Sequence, residues 1–277
     1  LVPASDAEPL IDFCRRQNFG DAFIFDYLVP MAAAIWSTGD EGILAFPIGM
    51  LSQFFNHHGL LDLKNRPQWY VVQGGSDQYV KVIRNRLQDL RLGCPVLAVT
   101  REKSRVLVTT EAGVEAFDEI VFACHSGQAL AVLTDASSAE CEVLGAMGYS
   151  RNEVVLHQDT SVMPVRPKVW ASWNYHAPLG ASRASLTYYM NRLQGFESNQ
   201  PVLVTLNDVG SIDESLVLKR LHYEHPVFDA AMLKAQGRHA EISGVDRTHY
   251  CGAYWRYGFH EDGVVSGLRV VEALVAN

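Results

Sequence analysis

The residue types best suited to chemistry lie close together near the C-terminus, between Tyr250 and Gly267. The segment reads Tyr-Cys-Gly-Ala-Tyr-Trp-Arg-Tyr-Gly-Phe-His-Glu-Asp-Gly-Val-Val-Ser-Gly and leads into an amphipathic helical pattern. Glycines let the main chain approach a ligand closely, and amide groups at a helix N-terminus attract electron-rich ligands. The pattern therefore favours a cradle for a cofactor.

A purely structural interpretation of the same residues is also open. Gly263 and Gly267 are four positions apart, so they share one face of a helix. Glu261 and Asp262 fall at the helix start, where the helix dipole favours carboxylates. A capped C-terminal helix with a glycine contact face explains these residues as well as a ligand site does.

The first third of the chain has the apolar spacing of helices. Its predicted elements are a helix over 9–36 interrupted at Pro30, a helix over 40–57, a strand Gln68–Val72, a turn at Gly74-Gly75, and a helix over 76–90 with Ser76 as its N-cap. We therefore expect this third to be mostly helical.

After Pro95 the pattern changes to short β-branched runs, which predict strands over 96–100, 105–110 and 116–123. The last run, "FDEIVFACH", is almost continuously apolar, as in a strand buried on both faces. A helix over 126–132 follows, which His125 can cap. From residue 151 onwards the predicted strands are 152–157, 169–175, 185–190, 202–206 and one around 221–225, followed by a helix over 229–237.

Aromatic residues are concentrated on the later strands, and Trp173 and Tyr175 share a face by the period of two. Aromatic side chains on strands usually serve packing. A wall against an apolar ligand is the functional alternative.

Composition excludes several classes of protein. The 277 residues carry 31 acidic and 23 basic side chains, a net charge of −8, without the basic cluster of a nucleic-acid-binding protein. No apolar run is long enough to span a bilayer, and no signal segment heads the chain, so we expect a cytoplasmic location. The five cysteines lack zinc-site or disulfide spacing, and the adjacent His57 and His58 point in different directions, so we expect no metal.

Several motifs together carry a resemblance to a known family. "CGAYW…GFHEDGVVSG" resembles the C-terminal flavin-binding segment of the flavin-containing amine oxidase superfamily. "YLVPMAAAIWST", "FFNHHGLLDL…RPQWYVVQGGSDQYV", "FDEIVFACHSGQAL", "WASWNYH" and "YEHPVF" are similar to bacterial predicted NAD/FAD-binding, amine oxidase-like proteins of that superfamily, which also contains protoporphyrinogen oxidases and phytoene desaturases. The resemblance covers nearly the whole chain.

The resemblance implies an α/β (α+β) fold and an FAD cofactor. It implies an incomplete, Rossmann-like FAD-binding domain and a substrate domain with a mixed sheet and helices. The implied divisions are 1–92 (helical part of the substrate domain), 93–148 (β-meander and remainder of the FAD-binding domain), 149–245 (mixed sheet of the substrate domain) and 246–277 (C-terminal strand and helix of the FAD-binding domain).

The resemblance also implies roles for individual residues. The implied cofactor-binding residues are Val96, Ala123, Cys124, His125, Gly252, Trp255, Gly258, Glu261, Asp262, Gly263 and Ser266. The implied substrate residues are Trp173, Tyr175, Gly74 and Gly75. Phe259 matches one residue of the aromatic cage of amine oxidases, and His260 is the nearest titratable group, which gives both a candidate catalytic role. Packing under the last helix is the alternative for these two residues.

Three departures from the family pattern limit the functional interpretation. The sequence contains no Gly-x-Gly-x-x-Gly, so it resembles the C-terminal two-thirds of a larger flavoprotein. The lysine that many amine oxidases hold near the flavin is absent from the strand after Tyr149, and Ala253 replaces an acidic residue. We therefore expect an FAD-dependent oxidoreductase, amine oxidase-like or desaturase-like, whose substrate is an apolar small molecule such as a lipid or polyene.

The alternative is an inactive fragment or substrate-domain module that cannot hold FAD without an N-terminal dinucleotide-binding half. The partners expected in that case are such a half, or a second copy that covers an exposed apolar face.

Overall fold

The computed structural model describes residues 8–36, 40–62, 64, 67–176, 185–208 and 210–276. Its contacts divide the chain into two units, each built from two stretches of sequence. Unit 1 comprises Leu1–Asp89 and Tyr149–His225, and unit 2 comprises Leu90–Gly148 and Pro226–Asn277. Residues 226–245 thus belong to unit 2, which differs from the predicted division at residue 245.

The helices are α1 (Leu10–Arg16), α2 (Asp21–Phe23), α3 (Val29–Trp36), α4 (Asp40–Leu44), α5 (Ile48–His57), α6 (Asp77–Arg84), α7 (Ser126–Val132), α8 (Ser138–Gly145), α9 (Met190–Gln194), α10 (Ala230–Gln236) and α11 (His260–Ala276). Over the part of the chain that the structure describes, no helix combines the length and the apolar character needed to cross a membrane.

The strands are β1 (Ala98–Arg101), β2 (Val106–Thr110), β3 (Gly113–Phe117), β4 (Ile120–Phe122), β5 (Tyr149–His157), β6 (Trp173–His176), β7 (Ser185–Tyr189), β8 (Leu203–Leu206), β9 (Val217–Pro226) and β10 (Thr248–Tyr250). The mixture of helices and sheets confirms the predicted α/β (α+β) class.

The predicted helices of the first third are present but broken near prolines and in the loop after α1. The predicted helix over 9–36 is divided into α1, α2 and α3, with a π-helical turn at Ile24–Leu28 before α3. Pro30 lies within the continuous helical run 21–36, directly after the π-helical turn, in which the N–H of Val29 donates to the carbonyl oxygen of Ile24. The missing N–H of Pro30 removes the next bond to the preceding turn, so the predicted interruption at Pro30 appears as a π-helical turn and not as the end of a helix. Pro47 comes directly before α5, and the predicted helix over 40–57 is accordingly divided into α4 and α5.

The predicted strand Gln68–Val72 is wrong, because these residues form no strand in the structure. Trp69 and Tyr70 are 58% and 87% exposed, so they lack the packed surface that favours such residues in strands. The helix that follows begins after Ser76 as predicted, but it ends at Arg84 rather than at residue 90.

Unit 1 contains a five-stranded sheet with the order β6-β7-β8-β5-β9. One face carries a row of buried polar side chains from three adjacent strands. The Thr187 and Thr205 hydroxyl oxygens are 2.8 Å apart, and Thr205 Oγ1 lies 2.7 Å from Nε2 of His157. The backbone N–H of Asp159 donates to Nδ1 of His157, so the neutral ring carries its proton on Nε2. Burial lowers the pKa of His157.

An apolar cluster covers the same face of the sheet, since Val155 pairs in register with Thr205. The buried members of the cluster are Val155, Val162, Met163, Leu203 and Ile212. Trp170 packs against the cluster and donates its Nε1–H to the carbonyl oxygen of Pro164 at 2.7 Å. The polar row is therefore enclosed on this side by the protein.

Unit 2 contains two small sheets. β1, β2 and β3 form the predicted antiparallel meander, and β4 pairs in parallel with β10. The predicted strand over 116–123 is thus divided between the two sheets as β3 and β4. Its predicted burial on both faces is wrong, since Val121 is 42% exposed. β10 is the one neighbour of β4 among the described strands, and a strand with a single neighbour is not enclosed.

The sequence analysis gave no bounds for the helix before Tyr149, which is α8, although its N-terminus carries a clear signal. Ser137 Oγ accepts the N–H of Glu140 at 3.2 Å, and Glu140 Oε2 accepts the N–H of Ser137 at 2.8 Å. This capping box follows the Ser-x-x-Glu spacing. α10 packs against α8, and Arg238 forms a 3.0 Å ion pair with Glu142. These contacts place the 226–245 stretch in unit 2.

The Glu140 carboxylate joins three elements of unit 2. Arg101, on β1, donates to Oε1 at 2.5 Å and to Oε2 at 2.9 Å, and the Tyr250 hydroxyl, on β10, donates to Oε1 at 2.6 Å. The side chain of Glu140 is 3% exposed and that of Arg101 is 7% exposed. Burial alone raises the pKa of Glu140, but the donors from Arg101, Tyr250 and Ser137 outweigh it and lower the pKa to about 2.

We predict that Glu140→Gln destabilises the protein by about 1.5–3 kcal/mol, because it removes the hydrogen bonds that the carboxylate accepts from Arg101 and Tyr250, while Arg101 keeps its 3.1 Å ion pair with Asp135. Tyr250→Phe removes one hydrogen bond to a charged group and costs about 1.5–3 kcal/mol. Urea unfolding at neutral pH measures both values. Equal stability of Glu140→Gln and wild type would contradict a buried ion pair.

A second prediction concerns the pH dependence that His157 produces. Its pKa is lowered in the folded state, so the unfolded chain binds the proton more tightly. Stability present at neutral pH is therefore lost as the pH falls from about 6.5, the unfolded value, towards the folded pKa. Urea unfolding between about pH 7 and pH 5 follows this loss, and His157→Gln should make the slope shallower without abolishing it, since burial also lowers the pKa of His239. His222→Gln, at an exposed position on β9, is the control that keeps the wild-type slope, and a slope in His157→Gln as steep as in the wild type refutes the assignment.

Candidate functional site

The carboxyl ends of β4 and β10 meet at one edge of their sheet because the two strands are parallel. Phe122 pairs with Tyr250, and the N–H of Cys251 donates to the carbonyl oxygen of Phe122 at 2.9 Å. The next residues, Ala123-Cys124 after β4 and Cys251-Gly252 after β10, therefore lie side by side. Ligands of α/β proteins bind at such strand ends.

Each strand leads to the N-terminus of a helix. α7 begins at Ser126 directly after β4, and His125 is its N-cap residue. The N–H of His125 donates to Oε1 of Gln128 at 3.1 Å, which supports the capping interpretation of this histidine. β10 leads through a short loop into α11, whose N-terminal amides have no acceptor within the helix.

Gly252 allows a close approach within the loop after β10. A Cβ atom at this position would lie 2.4 Å from Cε1 of Tyr254, well inside van der Waals contact. The N–H of Gly252 donates to Oγ of the buried Ser266, on α11, at 3.1 Å. The glycine and the serine therefore fix the end of β10 against α11.

The rest of the loop is also held from within unit 2. The side-chain amide of Gln236, on α10, donates to the carbonyl oxygens of Tyr254 at 2.8 Å and of Arg256 at 2.7 Å. Gly258 has φ +92°, and a Cβ there would lie 3.2 Å from the ring of Phe228. Such contacts set the position from which α11 starts.

The acidic pair at the start of α11 has two different environments. Asp262 is buried, accepts the N–H of Phe259 at 3.0 Å and lies 3.6 Å from Nε of Arg256. Asp262 was predicted to bind the cofactor, and in the structure its carboxylate caps the N-terminus of α11. Glu261 is exposed. The structure thus supports the capped-helix interpretation for Asp262.

Trp255 has a buried donor with no acceptor. The residue is 5% exposed, and its Nε1 has no hydrogen-bond partner among the described residues. The ring packs edge to face against His239 at 4.4 Å, and His239 Nε2 lies 2.8 Å from the carbonyl oxygen of Tyr250. Burial lowers the pKa of His239, so it is neutral at physiological pH.

The candidate catalytic residues lie at the junction of loop and helix. Phe259 is half-buried before α11, and His260 is exposed as the first residue of α11. The thiols nearby are poor nucleophiles, because burial raises the pKa of both Cys124 and Cys251, and the charge of Cys124 raises that of Cys251 further. Among the described residues no group of three or more His, Cys, Asp or Glu could hold a metal ion.

The structure gathers most of the predicted cofactor residues in one region of unit 2. They are Ala123, Cys124, His125, Gly252, Trp255, Gly258, Glu261, Asp262, Gly263 and Ser266. Val96 belongs to the same unit and lies in the loop before β1, where it is 40% exposed.

The predicted substrate residues lie in unit 1. Trp173 and Tyr175 share a face of β6, and the Trp173 ring packs edge to face against Tyr188 at 5.9 Å. All three are half-buried. Gly74 and Gly75 form a turn with φ of +80° and +85°, which favours glycine at both positions.

Comparison with known proteins agrees with this architecture. Residues 3–275 match the family model described as "Flavin containing amine oxidoreductase", so the chain belongs to that family. A search of the curated proteins finds no match.

Solved structures share the fold at low sequence identity. A protein named as a protoporphyrinogen oxidase from Exiguobacterium sp. 255-15 is 15% identical, with a TM-score of 0.66 over 99% of this chain and 68% of that one. Cyclohexylamine oxidase from Brevibacterium oxydans IH-35A is 9% identical, with a TM-score of 0.66 over 98% of this chain and 68% of that one. A CLA-producing fatty acid isomerase from P. acnes is 13% identical, with a TM-score of 0.62 over 95% of this chain and 66% of that one. At these identities the similarity establishes the fold and does not identify a substrate.

The residues at the strand ends fit one side of an FAD site. Two helix N-termini flank the open strand ends, and the buried Trp255 supplies a donor that lacks an acceptor. These groups suit a ligand rich in oxygen acceptors. The sequence has no Gly-x-Gly-x-x-Gly to bind a diphosphate, so the fit covers one wall.

Two residues of the site were missed by the sequence analysis. Gln236 and Tyr254 hold the loop, but a helix glutamine and a loop tyrosine carry no local signal. Their roles depend on contacts between elements that are distant in sequence.

Two glycine substitutions distinguish a glycine that a neighbouring side chain leaves no room to replace from a glycine that only lowers helix propensity. Gly252→Ala places a methyl group against Tyr254, so we expect a loss of about 1–3 kcal/mol. Gly267→Ala meets nothing within 4 Å and should stabilise α11 by about 0.5–1 kcal/mol. Urea unfolding tests the pair. The same effect from both substitutions would contradict the described packing of the loop.

Proposed function

We propose that this chain binds FAD at the carboxyl ends of β4 and β10 and acts as part of an FAD-dependent oxidoreductase for an apolar small-molecule substrate. The observation that carries the proposal is the combination of parallel strand ends, the N-terminus of α11 and the unpaired donor of Trp255 in one region of unit 2. Membership of the flavin-containing family supports the choice of FAD.

The residues proposed to hold FAD surround the strand ends. They are Val96, Ala123, Cys124, His125, Gly252, Trp255, Gly258, Glu261, Asp262, Gly263 and Ser266. When bound, FAD would supply the redox chemistry, which protein side chains lack. The part of the chain is to bind and orient the cofactor and to limit access of water.

The aromatic face of β6 supports an apolar substrate. Trp173, Tyr175 and Tyr188 present half-buried rings on one face of the unit 1 sheet, beside the buried Leu186. Flat apolar surfaces of this kind exclude water and orient an apolar molecule. The turn at Gly74-Gly75 is proposed as a further substrate contact.

Phe259 and His260 are proposed as the residues nearest the reaction. Phe259 would contribute an aromatic surface, and His260 can exchange a proton with solvent because it is exposed. Packing beneath α11 remains the alternative role for Phe259.

The strand β5 favours a dehydrogenase or desaturase over a lysine-assisted amine oxidase. β5 contains no lysine, and its Asn152 is buried. The side-chain amide of Asn152 donates to Nδ1 of His225 at 3.0 Å and accepts from Nδ2 of Asn207 at 2.7 Å. A neutral network at this position cannot supply the positive charge of a lysine.

We also propose that α11 is a contact surface for a dinucleotide-binding segment. Val264, Leu268, Val271 and Val275 follow one face of α11 and are 55%, 56%, 54% and 81% exposed. Parallel sheets are normally covered on both faces, yet the pair β4–β10 has no further strand among the described residues. A segment that adds parallel strands would cover both surfaces, and self-association is the competing occupant.

The proposal predicts that the purified chain, supplied with FAD and freed of excess cofactor, retains absorbance between about 350 and 500 nm. A yellow protein that retains one FAD per chain excludes the alternative of an inactive fragment that cannot hold FAD. A colourless protein, even after co-expression with a dinucleotide-binding segment, would overturn the proposed function.

Substitutions at the start of α11 should act on flavin content. Gly263→Ala meets only atoms of Ala253 at 3.9 Å, an ordinary contact, so the fold tolerates it. Loss of flavin in Gly263→Ala or Glu261→Gln, with unchanged unfolding by urea, would therefore report on the ligand. Gly267→Ala is the matched control on the same helix and should retain flavin. Full retention in all three variants would remove α11 from the site.

A further inference from the structure

Two loops of unit 1 meet beside the buried His157. The first comprises residues 158–163 and follows β5 directly, and the second comprises residues 211–216, between β8 and β9. Both loops supply buried members of the apolar cluster on this face of the sheet, Met163 from the first and Ile212 from the second. The two loops therefore close over the same core.

Asp159 connects the two loops. Its Oδ1 accepts the N–H of Ser161 at 2.8 Å, within the first loop, and its Oδ2 accepts the N–H of Asp213 at 2.9 Å, in the second. The N–H of Gln158 also donates to the carbonyl oxygen of Leu216 at 3.0 Å. A buried carboxylate and a backbone hydrogen bond thus hold the loops together.

The closed arrangement requires a neutral His157. Its Nδ1 accepts the N–H of Asp159 at 3.2 Å, and its Nε2 lies 2.7 Å from Oγ1 of Thr205, to which it donates. A second proton on the ring has to sit on Nδ1, where it faces the N–H of Asp159, so that two donors oppose each other. Protonation therefore breaks the hydrogen bond that positions the start of the first loop.

The charges that act on the ring come from three segments of unit 1. Burial disfavours the imidazolium most, and Arg220, on β9, adds to this, whereas the carboxylates of Asp159 and of Asp208, after β8, favour it. Arg220 is itself in ion pairs with two glutamates. Burial raises the pKa of both aspartates, but the hydrogen bonds that they accept outweigh it and lower the pKa. Both carboxylates therefore stay charged at about pH 5.

We propose that the loops 158–163 and 211–216 form an acid-sensitive latch that His157 controls. When the ring takes up a proton, it loses the N–H of Asp159 and attracts the Asp159 carboxylate away from the two loop amides. The loops then separate and uncover the apolar cluster beneath them. The latch does not depend on the proposed function, since none of its residues is assigned to the cofactor or to the substrate.

The latch opens more easily as the pH falls. In the open form the ring is exposed and has an ordinary pKa of about 6.5, whereas the closed form binds the proton more weakly. Each pH unit below about 6.5 therefore raises the open fraction by up to tenfold, until the pH reaches the pKa of the closed form. Well above pH 6.5 the open fraction is independent of pH.

Amide hydrogen exchange of the full chain, measured between about pH 7 and pH 5, tests the latch. The quantity compared is the protection factor, in which each rate is corrected for the intrinsic pH dependence of exchange. We expect the protection of Asp159, Ser161 and Asp213 to fall by up to tenfold per pH unit below about pH 6.5. At every pH it should stay at least about tenfold below that of the paired amides of β7 and β8, because the latch opens without unfolding of the sheet.

Two variants and a control separate the ring from the carboxylate. His157→Gln keeps an acceptor and a donor but has no titratable proton, so the protection of the latch amides should no longer depend on pH. His222→Gln, at an exposed position on β9, should keep the wild-type dependence. Asp159→Asn has one acceptor oxygen in place of two and should lower the protection of the latch amides about ten- to hundredfold at pH 7. Where His157→Gln does not fold, the wild-type protein and Asp159→Asn decide the question.

Three results would overturn the latch. The first is protection of the latch amides that stays constant from pH 7 to pH 5. The second is the same pH dependence in His157→Gln as in the wild type. The third is equal protection of the latch amides and of the amides of β7 and β8, since the loops would then open only when the whole protein unfolds.

Discussion

The buried carboxylate of Glu140 is the interaction on which unit 2 depends most. It receives donors from Arg101 on β1 and Tyr250 on β10, while its own backbone starts α8. Because Tyr250 is the last residue of β10, this contact fixes the point where the strand ends and the loop to α11 begins. The partners lie 110 positions apart in sequence, so the geometry of the site is a property of the folded unit.

From this anchor the site is built outward by short-range contacts. Tyr250 pairs with Phe122 across the parallel strands, and Gly252 then passes close to Tyr254 and ties to Ser266. Each step leaves a donor or a helix N-terminus at the same edge of the sheet. The result is one edge of the sheet at which the ends of β4 and β10 lie beside the loop that leads to α11, and this edge is where we propose that FAD binds.

The sequence predicted the fold class, the helical first third, the meander and most strands, because periodicity and turn residues report local structure. The sequence-based predictions were wrong where contacts between distant segments determine the secondary structure. Gln68–Val72 has strand-like residues but no strand in the structure, and the apolar run at 116–123 contributes to two sheets rather than to one buried strand. α8 was predictable from Ser137 and Glu140, but the ion pair with Arg101 was not.

The candidate site shows the same division. Glycines, the acidic pair and the family resemblance pointed to the segment between β10 and α11. The supporting contact from Gln236 and the cap formed by Asp262 could be identified only from the folded structure.

The central claim is that the strand ends of unit 2 hold FAD. Hydrogen–deuterium exchange of the backbone amides, measured with and without FAD, tests it most directly. The account predicts added protection in 122–128 and 251–266, and protection that is absent or confined to other segments would contradict it.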